Sequence, residues 1–146
     1  MNDGDAPDGL EQVRRLLNGS TQYRGIVATM GLRLVEAELG HAVFEGDPDE
    51  RFYNPIGSVH GGYAATLLDS AVGIAVHSRL SPTQAYTTLE LKIAYHRALT
   101  HESGPVRAVG SVLSFGRRAA FAEGKLTDAQ GRLCASATST LLVYER

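Results

Sequence analysis

The chain has 146 residues and a formal net charge of −2, from 14 basic and 16 acidic side chains. This near balance gives no overall positive field, which argues against nucleic acid and anionic membranes as partners. The length suits one domain over residues 1–146 with a single core.

The first nine residues are polar and acidic, so they lack the basic and apolar regions of a signal peptide. The longest apolar run contains Asp69 and is too short to cross a bilayer. Cys134, the single cysteine, excludes an intrachain disulfide and is typical of a reducing compartment. We therefore expect a cytoplasmic protein.

The beginning of the chain is divided into a flexible segment, residues 1–8, and a helical segment, residues 9–29. Asp8 and Glu11 form a capping box, and Asn18-Gly19 is a stop signal, so they bound a short amphipathic helix. Its apolar residues recur at helical spacing: Leu10, Val13, Leu16 and Leu17.

The main core is expected over residues 30–144. It begins with a hairpin of two strands, Leu32 to Leu39 and Ala42 to Gly46, which turns at Gly40-His41. A loop over residues 47–59 then leads to an apolar helix from residue 61 to about 79.

Four long strands follow that helix. They are Ala85 to His96, Val106 to Phe115, Ala119 to Asp128 and Leu133 to Tyr144. An almost wholly apolar helix must be covered on most of its sides. The sequence therefore predicts an α+β fold in which a long antiparallel sheet is wrapped around the central helix.

Asp69 is the one strongly polar side chain between Tyr63 and Val76. A carboxylate in such a helix is costly to bury unless it is paired or has a chemical role, so we interpret Asp69 as functional. Its neighbours at i−3 and i+4, Thr66 and Gly73, suggest a polar side chain and a space beside it. The alternative is a structural acid that caps a loop or pairs with an arginine.

Gly61 and Gly62 begin the same helix. A helix start has unpaired N–H groups and the positive end of the helix dipole, which suit an oxygen that gains negative charge. Glycine also lets a substrate come close to the backbone. The alternative is that both glycines only form the turn.

The ordered motifs resemble those of hotdog-fold thioesterases of the phenylacetate-pathway (PaaI) type, over about residues 30–144. The motifs are Asn54-Pro-x-Gly-x-x-His60-Gly61-Gly62, Asp69 nine residues after His60, Thr87-Thr-Leu-Glu-Leu-x-x-x-Tyr95, Ser114-Phe-Gly-Arg-Arg-Ala and Asp128-x-x-Gly-Arg-Leu-x-Ala. The resemblance implies hydrolysis of acyl-coenzyme A (acyl-CoA) thioesters by homodimers, often paired into homotetramers, without a metal or redox cofactor.

The resemblance also implies roles for individual residues. Gly61 would donate to the oxyanion, and Gly62 would border the substrate. Asn54 would position water or hold the carbonyl, and His60 would orient the turn or contact the thioester. Asparagine before proline is also a turn signal, and His60 has a structural alternative as a hydrogen-bonding partner.

The spacing of Gly61 and Asp69 predicts a shared site. Eight residues of helix span about 12 Å, too far for both to act on one thioester carbon. We expect a twofold axis that lays two such helices antiparallel and brings Asp69 of one subunit to Gly61 of the other. Asp69 would then act either as a general base on water or as a nucleophile.

Thr87 shares its alternation with Leu89 and Leu91, so it is expected to face the helix. We therefore predict that the hydroxyl of Thr87, not that of Thr88, lies near Asp69. A satisfied buried threonine is the alternative.

Arginine side chains suit the phosphates of coenzyme A, and Arg97, Arg117 and Arg118 are candidates for them. Successive strand residues face opposite ways, so one of Arg117 and Arg118 is expected to reach the ligand. A solvated hairpin end is the alternative. The remaining histidines lack metal-ligand spacing, so no metal site is predicted: His41, His77, His96 and His101.

The predicted function is acyl-CoA thioesterase. A hotdog dehydratase and a non-catalytic acyl-CoA binding protein are the alternatives. The small helix residues Ala64, Ala65, Ala75 and Val76 suit aryl and medium aliphatic acyl groups equally, and the motifs leave both coenzyme A and a carrier protein open as the acyl carrier.

Overall fold

The computed structural model describes residues 6–146. The predicted flexible segment therefore lies mostly outside the described residues. In chain order the elements are α1 (Gly9–Leu17), α2 (Ile26–Thr29), β1 (Arg33–Glu38), β2 (His41–Gly46), a 3₁₀ turn (Glu50–Phe52), α3 (Gly61–His77), β3 (Gln84–Tyr95), β4 (Val106–Phe115), β5 (Ala119–Thr127) and β6 (Leu133–Glu145).

Helix α1 begins and ends where its sequence signals are. The carboxylate of Asp8 accepts a hydrogen bond from the Glu11 N–H at 2.9 Å, and Asn18 closes the helix. The following residue, Gly19, has a φ of +80°, a conformation that glycine adopts easily. The predicted N-cap and stop are thus confirmed, but the Glu11 carboxylate accepts from Arg15 at 2.6 Å and does not complete the predicted capping box.

The six strands form one sheet in the order β1-β2-β4-β5-β6-β3, and every neighbouring pair is antiparallel. Helix α3 lies across one face of this sheet and contacts β2 to β6. Its buried side includes Leu67, Leu68, Val72 and Val76. The predicted α+β architecture, a sheet around a central helix, is confirmed.

A row of small residues lets α3 lie close to the sheet. Ala42, Gly110, Gly124 and Ala137 are register partners on the neighbouring strands β2, β4, β5 and β6. A methyl group at Gly110 would lie 2.4 Å from the carbonyl carbon of Ala71 in α3. The backbone of the helix therefore packs directly on the backbone of β4.

A β-bulge interrupts β3. Thr88 is opposite Leu141 and Glu90 is opposite Thr140, so Leu89 is an extra residue without a partner on β6. An extra residue reverses which positions face the helix on its two sides. Leu89 itself is 58% exposed.

None of the helices within residues 6–146 is long and apolar enough to cross a membrane.

Candidate active site

The first turn of α3 leaves one backbone N–H group without an acceptor. His60 caps the helix: its Nδ1 accepts from the Gly62 N–H at 2.8 Å, and its carbonyl accepts from the Tyr63 N–H at 2.9 Å. Within residues 6–146 the Gly61 N–H has no hydrogen-bond acceptor. His60 thus caps the helix as a hydrogen-bonding partner, and the free donor is the amide that follows it. A contact of His60 with the thioester stays a prediction.

Tyr95, the last residue of β3, holds Gly61 from the other side. Its hydroxyl donates to the Gly61 carbonyl at 2.7 Å. A methyl group at Gly61 would lie 3.0 Å from that hydroxyl oxygen and 3.1 Å from the ring carbon that bears it. Gly61 thus lies directly against the tyrosine ring, and a larger residue would have to displace it.

A cavity of about 580 Å³ opens beside this turn. Its wall includes His60, Gly61 and Gly62 at the helix start, and Tyr95 and Arg97 at the end of β3. Its apolar part is formed by Val59, Ala64, Leu99, Leu126 and Ala135. The free amide of Gly61 therefore borders a space that is mostly apolar and has a cationic side chain at its edge.

Asp69 is partly exposed on α3 and is bonded to β3. Its Oδ1 accepts a hydrogen bond from the hydroxyl of Thr88 at 2.9 Å, whereas Thr87 is exposed. The prediction that Thr87 rather than Thr88 lies near Asp69 is therefore wrong. The bulge at Leu89 is the reason, because it shifts the helix-facing positions from Leu91 and Ile93 to Thr88 and Tyr86.

The expected space beside Asp69 is filled. A methyl group at Gly73 would lie 2.9 Å from the hydroxyl oxygen of Tyr86, so the tyrosine takes the room that this glycine leaves. Burial, and to a smaller degree the charge of Asp69, raise the pKa of Tyr86 to about 12. Thr66 donates its hydroxyl to the Gly62 carbonyl at 2.9 Å. The surroundings of Asp69 thus include a neutral phenol that no sequence pattern indicated.

Asn54 organises the loop before α3. Its Oδ1 accepts from the N–H groups of Ile56 and Ser58 at 3.1 and 3.2 Å, and its Nδ2 donates to the Ser58 hydroxyl at 3.1 Å. This is the turn role that an asparagine before proline indicates. A role for Asn54 in catalysis stays a prediction.

The three candidate arginines are not brought together in one subunit. Arg97 lines the cavity beside Gly61. Arg117 and Arg118 are exposed at the turn between β4 and β5 and line a different cavity of about 520 Å³, together with Gln84 at the start of β3. Arg97 therefore lies near the end of β3, and Arg117 and Arg118 lie near its start. Since β3 has 12 residues, these two ends are about 36 Å apart.

Across residues 6–146, no three His, Cys, Asp or Glu side chains are grouped so that they would hold a metal ion. The expectation of catalysis without a metal or cofactor remains a prediction.

A long antiparallel sheet wrapped around one central helix is the architecture of a hotdog protein. The sequence pattern of the Thioesterase superfamily matches residues 56–135, which include Gly61, Asp69 and Tyr95. The chain belongs to this superfamily. The expected hotdog fold and the resemblance to phenylacetate-pathway thioesterases are confirmed.

Three proteins illustrate the relationship. A 1,4-dihydroxy-2-naphthoyl-CoA hydrolase of Listeria monocytogenes is 28% identical over 122 residues, which cover 84% of this chain and 98% of that protein. The proofreading thioesterase EntH of Cronobacter sakazakii is 32% identical over 114 residues, 77% of each chain. The phenylacetic acid degradation-related protein of Ralstonia eutropha JMP134 superposes with a TM-score of 0.80 at 25% identity, covering 89% of this chain and 98% of that one.

Proposed function

We propose that this protein is a thioesterase that hydrolyses acyl-CoA to a free acid and coenzyme A, in sites shared between the two subunits of a homodimer. The observation that carries this proposal is the free Gly61 N–H beside the cavity. Asp69 of the second subunit supplies the carboxylate.

The chemistry requires a donor that is free when the reaction begins. Attack on a thioester carbonyl moves negative charge onto its oxygen, and a backbone N–H fixed at a helix start stabilises that charge. Of the first three N–H groups of α3, those of Gly62 and Tyr63 are already bonded to His60. Gly61 is left as the oxyanion donor.

Asp69 lies two helical turns further along α3, about 12 Å from Gly61. It therefore serves the Gly61 of another subunit. Edge strand β3 suits this arrangement, because its outer side has no partner within residues 6–146 and carries the exposed Leu89. Antiparallel pairing of two β3 strands lays the two α3 helices antiparallel.

The same pairing accounts for the separation of the arginines. It brings the Gln84 end of one β3 strand toward the Tyr95 end of the other. Arg117 or Arg118 of one subunit then joins Arg97 of the other around the coenzyme A phosphates. Association of two dimers into a tetramer, and a cytoplasmic location, stay predictions from the sequence.

The relatives suggest where to begin with substrates. The Listeria protein is named for an aromatic acyl-CoA, and EntH is named a proofreading thioesterase. The cavity wall beside Gly61 is mostly apolar, which suits an aryl or aliphatic acyl group. Aryl-CoA thioesters therefore come first in the test.

The test is thiol release from phenylacetyl, hydroxybenzoyl, short-chain and long-chain acyl-CoA, measured on the wild type and on Asp69→Asn. We expect turnover of at least one aryl-CoA. In the variant we expect kcat to fall about 100- to 10,000-fold, the range that a general base usually contributes to the rate. Slow release that the variant leaves unchanged would show that Asp69 is structural.

The same assay separates the alternatives. Binding of acyl-CoA without thiol release would indicate a non-catalytic binding protein. With a 3-hydroxyacyl-CoA added to the panel, a product that has lost water but kept its thioester would indicate a dehydratase. A single turnover in H₂¹⁸O tests the nucleophilic role of Asp69: label in its carboxylate shows an anhydride that water cleaves at the aspartyl carbon, whereas a general base never acquires the label.

A further inference from the structure

We propose that Tyr95 is a positioning residue that fixes the direction of the Gly61 amide for the reaction. This inference rests on the proposed function, since it assigns to Tyr95 the support of the oxyanion donor.

Tyr95 contacts Gly61 in two ways, through its hydroxyl and through its ring. The Tyr95 hydroxyl donates to the Gly61 carbonyl at 2.7 Å, and its ring lies against the Cα of Gly61. The hydrogen bond and the ring together limit rotation of Gly61 about its two backbone dihedrals. The peptide that carries the Gly61 N–H is itself held at its carbonyl, where His60 accepts from the Tyr63 N–H at 2.9 Å, and Tyr95 adds the restraint on the far side of the Gly61 Cα.

Gly61 needs such support more than another residue would. Glycine has the largest conformational freedom to lose, and here two glycines in succession form the first turn, where helices fray. The Gly62 N–H is held by His60, which fixes the peptide after Gly61. Tyr95 holds the carbonyl of that same peptide, so the two contacts fix the plane next to the one that carries the Gly61 N–H. Gly61 then has less freedom to rotate between the two planes.

Tyr95 also connects the two sites to which one chain contributes. It ends β3, and Thr88 of the same strand bonds to Asp69. One strand therefore holds the carboxylate of one shared site near its middle and the oxyanion donor of the other site at its end. Burial raises the pKa of Tyr95, so the phenol stays protonated and able to donate at neutral pH.

The experiment compares Tyr95→Phe with the wild type in steady-state hydrolysis of the best acyl-CoA. Phenylalanine keeps the ring and removes one neutral hydrogen bond, so we expect a kcat about 3- to 10-fold lower with KM unchanged. Tyr23→Phe is the matched control. It also removes a hydroxyl bonded to backbone, at the Leu34 N–H, but next to β1 at the opposite edge of the sheet, and should keep the wild-type kcat.

A second measurement does not require activity. The ¹⁵N relaxation of the Gly61 amide in the resting protein should show a rigid order parameter, about 0.85, in the wild type and in Tyr23→Phe, and a value falling toward 0.6 in Tyr95→Phe. An unchanged order parameter, or a raised KM with unchanged kcat, would overturn the role of Tyr95. If the wild type releases no thiol, the proposed function fails while the relaxation measurement still decides whether Tyr95 fixes Gly61.

Discussion

Thr87 and Thr88 are adjacent in sequence, yet only the hydroxyl of Thr88 contacts Asp69. Thr88→Val keeps the shape of the side chain and removes this hydrogen bond to a carboxylate. We expect kcat to fall about 10-fold, in line with the strength of a hydrogen bond to a charged group. The matched variant Thr87→Val changes an exposed side chain and should leave kcat unchanged in the same thiol-release assay. Equal effects of both variants would contradict the contact.

The Asp128 carboxylate holds the turn between β5 and β6 together by hydrogen bonds. Burial alone would raise the pKa of the Asp128 carboxyl. The carboxyl also accepts hydrogen bonds from the Arg132 and Gln130 N–H groups and from the Arg132 side chain. These bonds outweigh burial and lower the pKa below the ordinary value of 3.8. A carboxyl with a lowered pKa in the folded state stabilises the protein above that ordinary value, and this contribution is lost as the pH falls through the folded-state pKa.

Asp128→Asn should therefore be less stable than the wild type at pH 7. The difference should shrink below about pH 4, because there the carboxyl of the unfolded wild-type chain binds a proton before that of the folded protein does. Urea unfolding at pH 7 and at pH 3 measures it. A difference of equal size at both pH values would mean that the charge of Asp128 is irrelevant to stability.

At the scale of elements, the contact between α3 and the sheet depends on two glycines that differ in what surrounds them. A methyl group at Gly110 would lie 2.4 Å from backbone atoms of Ala71, which cannot move without shifting the helix. At Gly124 the nearest atom is the Leu68 Cδ2 at 3.0 Å, the end of a side chain that can rotate.

We therefore expect Gly110→Ala to lower the free energy of unfolding by about 3 kcal/mol, the upper part of the range for overpacked cores, and Gly124→Ala to cost about 1 kcal/mol. Denaturant unfolding of both variants checks the order. The reverse order would indicate that α3 adjusts more readily than the side chains on it.

The elements themselves could be predicted from the sequence because alternation and helical spacing report burial directly. Strand β4 begins and ends where it was predicted, and α3 begins at Gly61 as expected. The error at Thr87 has a physical cause: a two-residue period cannot reveal the extra residue of a bulge. The filling of the space at Gly73 by Tyr86, and the contact of Tyr95 with Gly61, join residues far apart in sequence, which a local pattern does not encode.

At the scale of the whole molecule, the proposed shared site predicts recovery of activity from two inactive chains. Gly61→Pro removes the N–H donor with little cost to the helix, because proline is favoured at the first helical position and His60 already has the extended ψ of 137° that precedes proline. Equal mixing with Asp69→Asn should restore about one quarter of wild-type activity, because half of the dimers are mixed and each has one intact site.

Gly61→Ala is the control for this experiment, because it adds the same Cβ beside Tyr95 but keeps the N–H. It should retain more activity than Gly61→Pro if the donor matters. Mixed dimers that form, as shown by mass spectrometry, and yet remain inactive would rule out a site shared between subunits.

The subunit interface proposed at β3 can be tested with two exposed leucines at bulges. Leu89, on edge strand β3, is 58% exposed, and Leu113, on β4 inside the sheet, is 59% exposed. Leu89→Glu places like charges near the proposed twofold axis, so we expect the dimer to dissociate more readily and activity to fall. Leu113→Glu should leave the dimer intact in analytical ultracentrifugation, and equal dissociation of both variants would contradict an interface at β3.

The distance of about 12 Å between Gly61 and Asp69 on one rigid helix has a consequence for how such an enzyme responds to its own abundance. In the shared site that we propose, a single chain lacks one of the two groups, so below the dissociation constant of the dimer the rate would grow with the square of the chain concentration. Doubling expression in that range would quadruple the flux, whereas above it the response becomes proportional. Dilution would thus switch the enzyme off without any inhibitor.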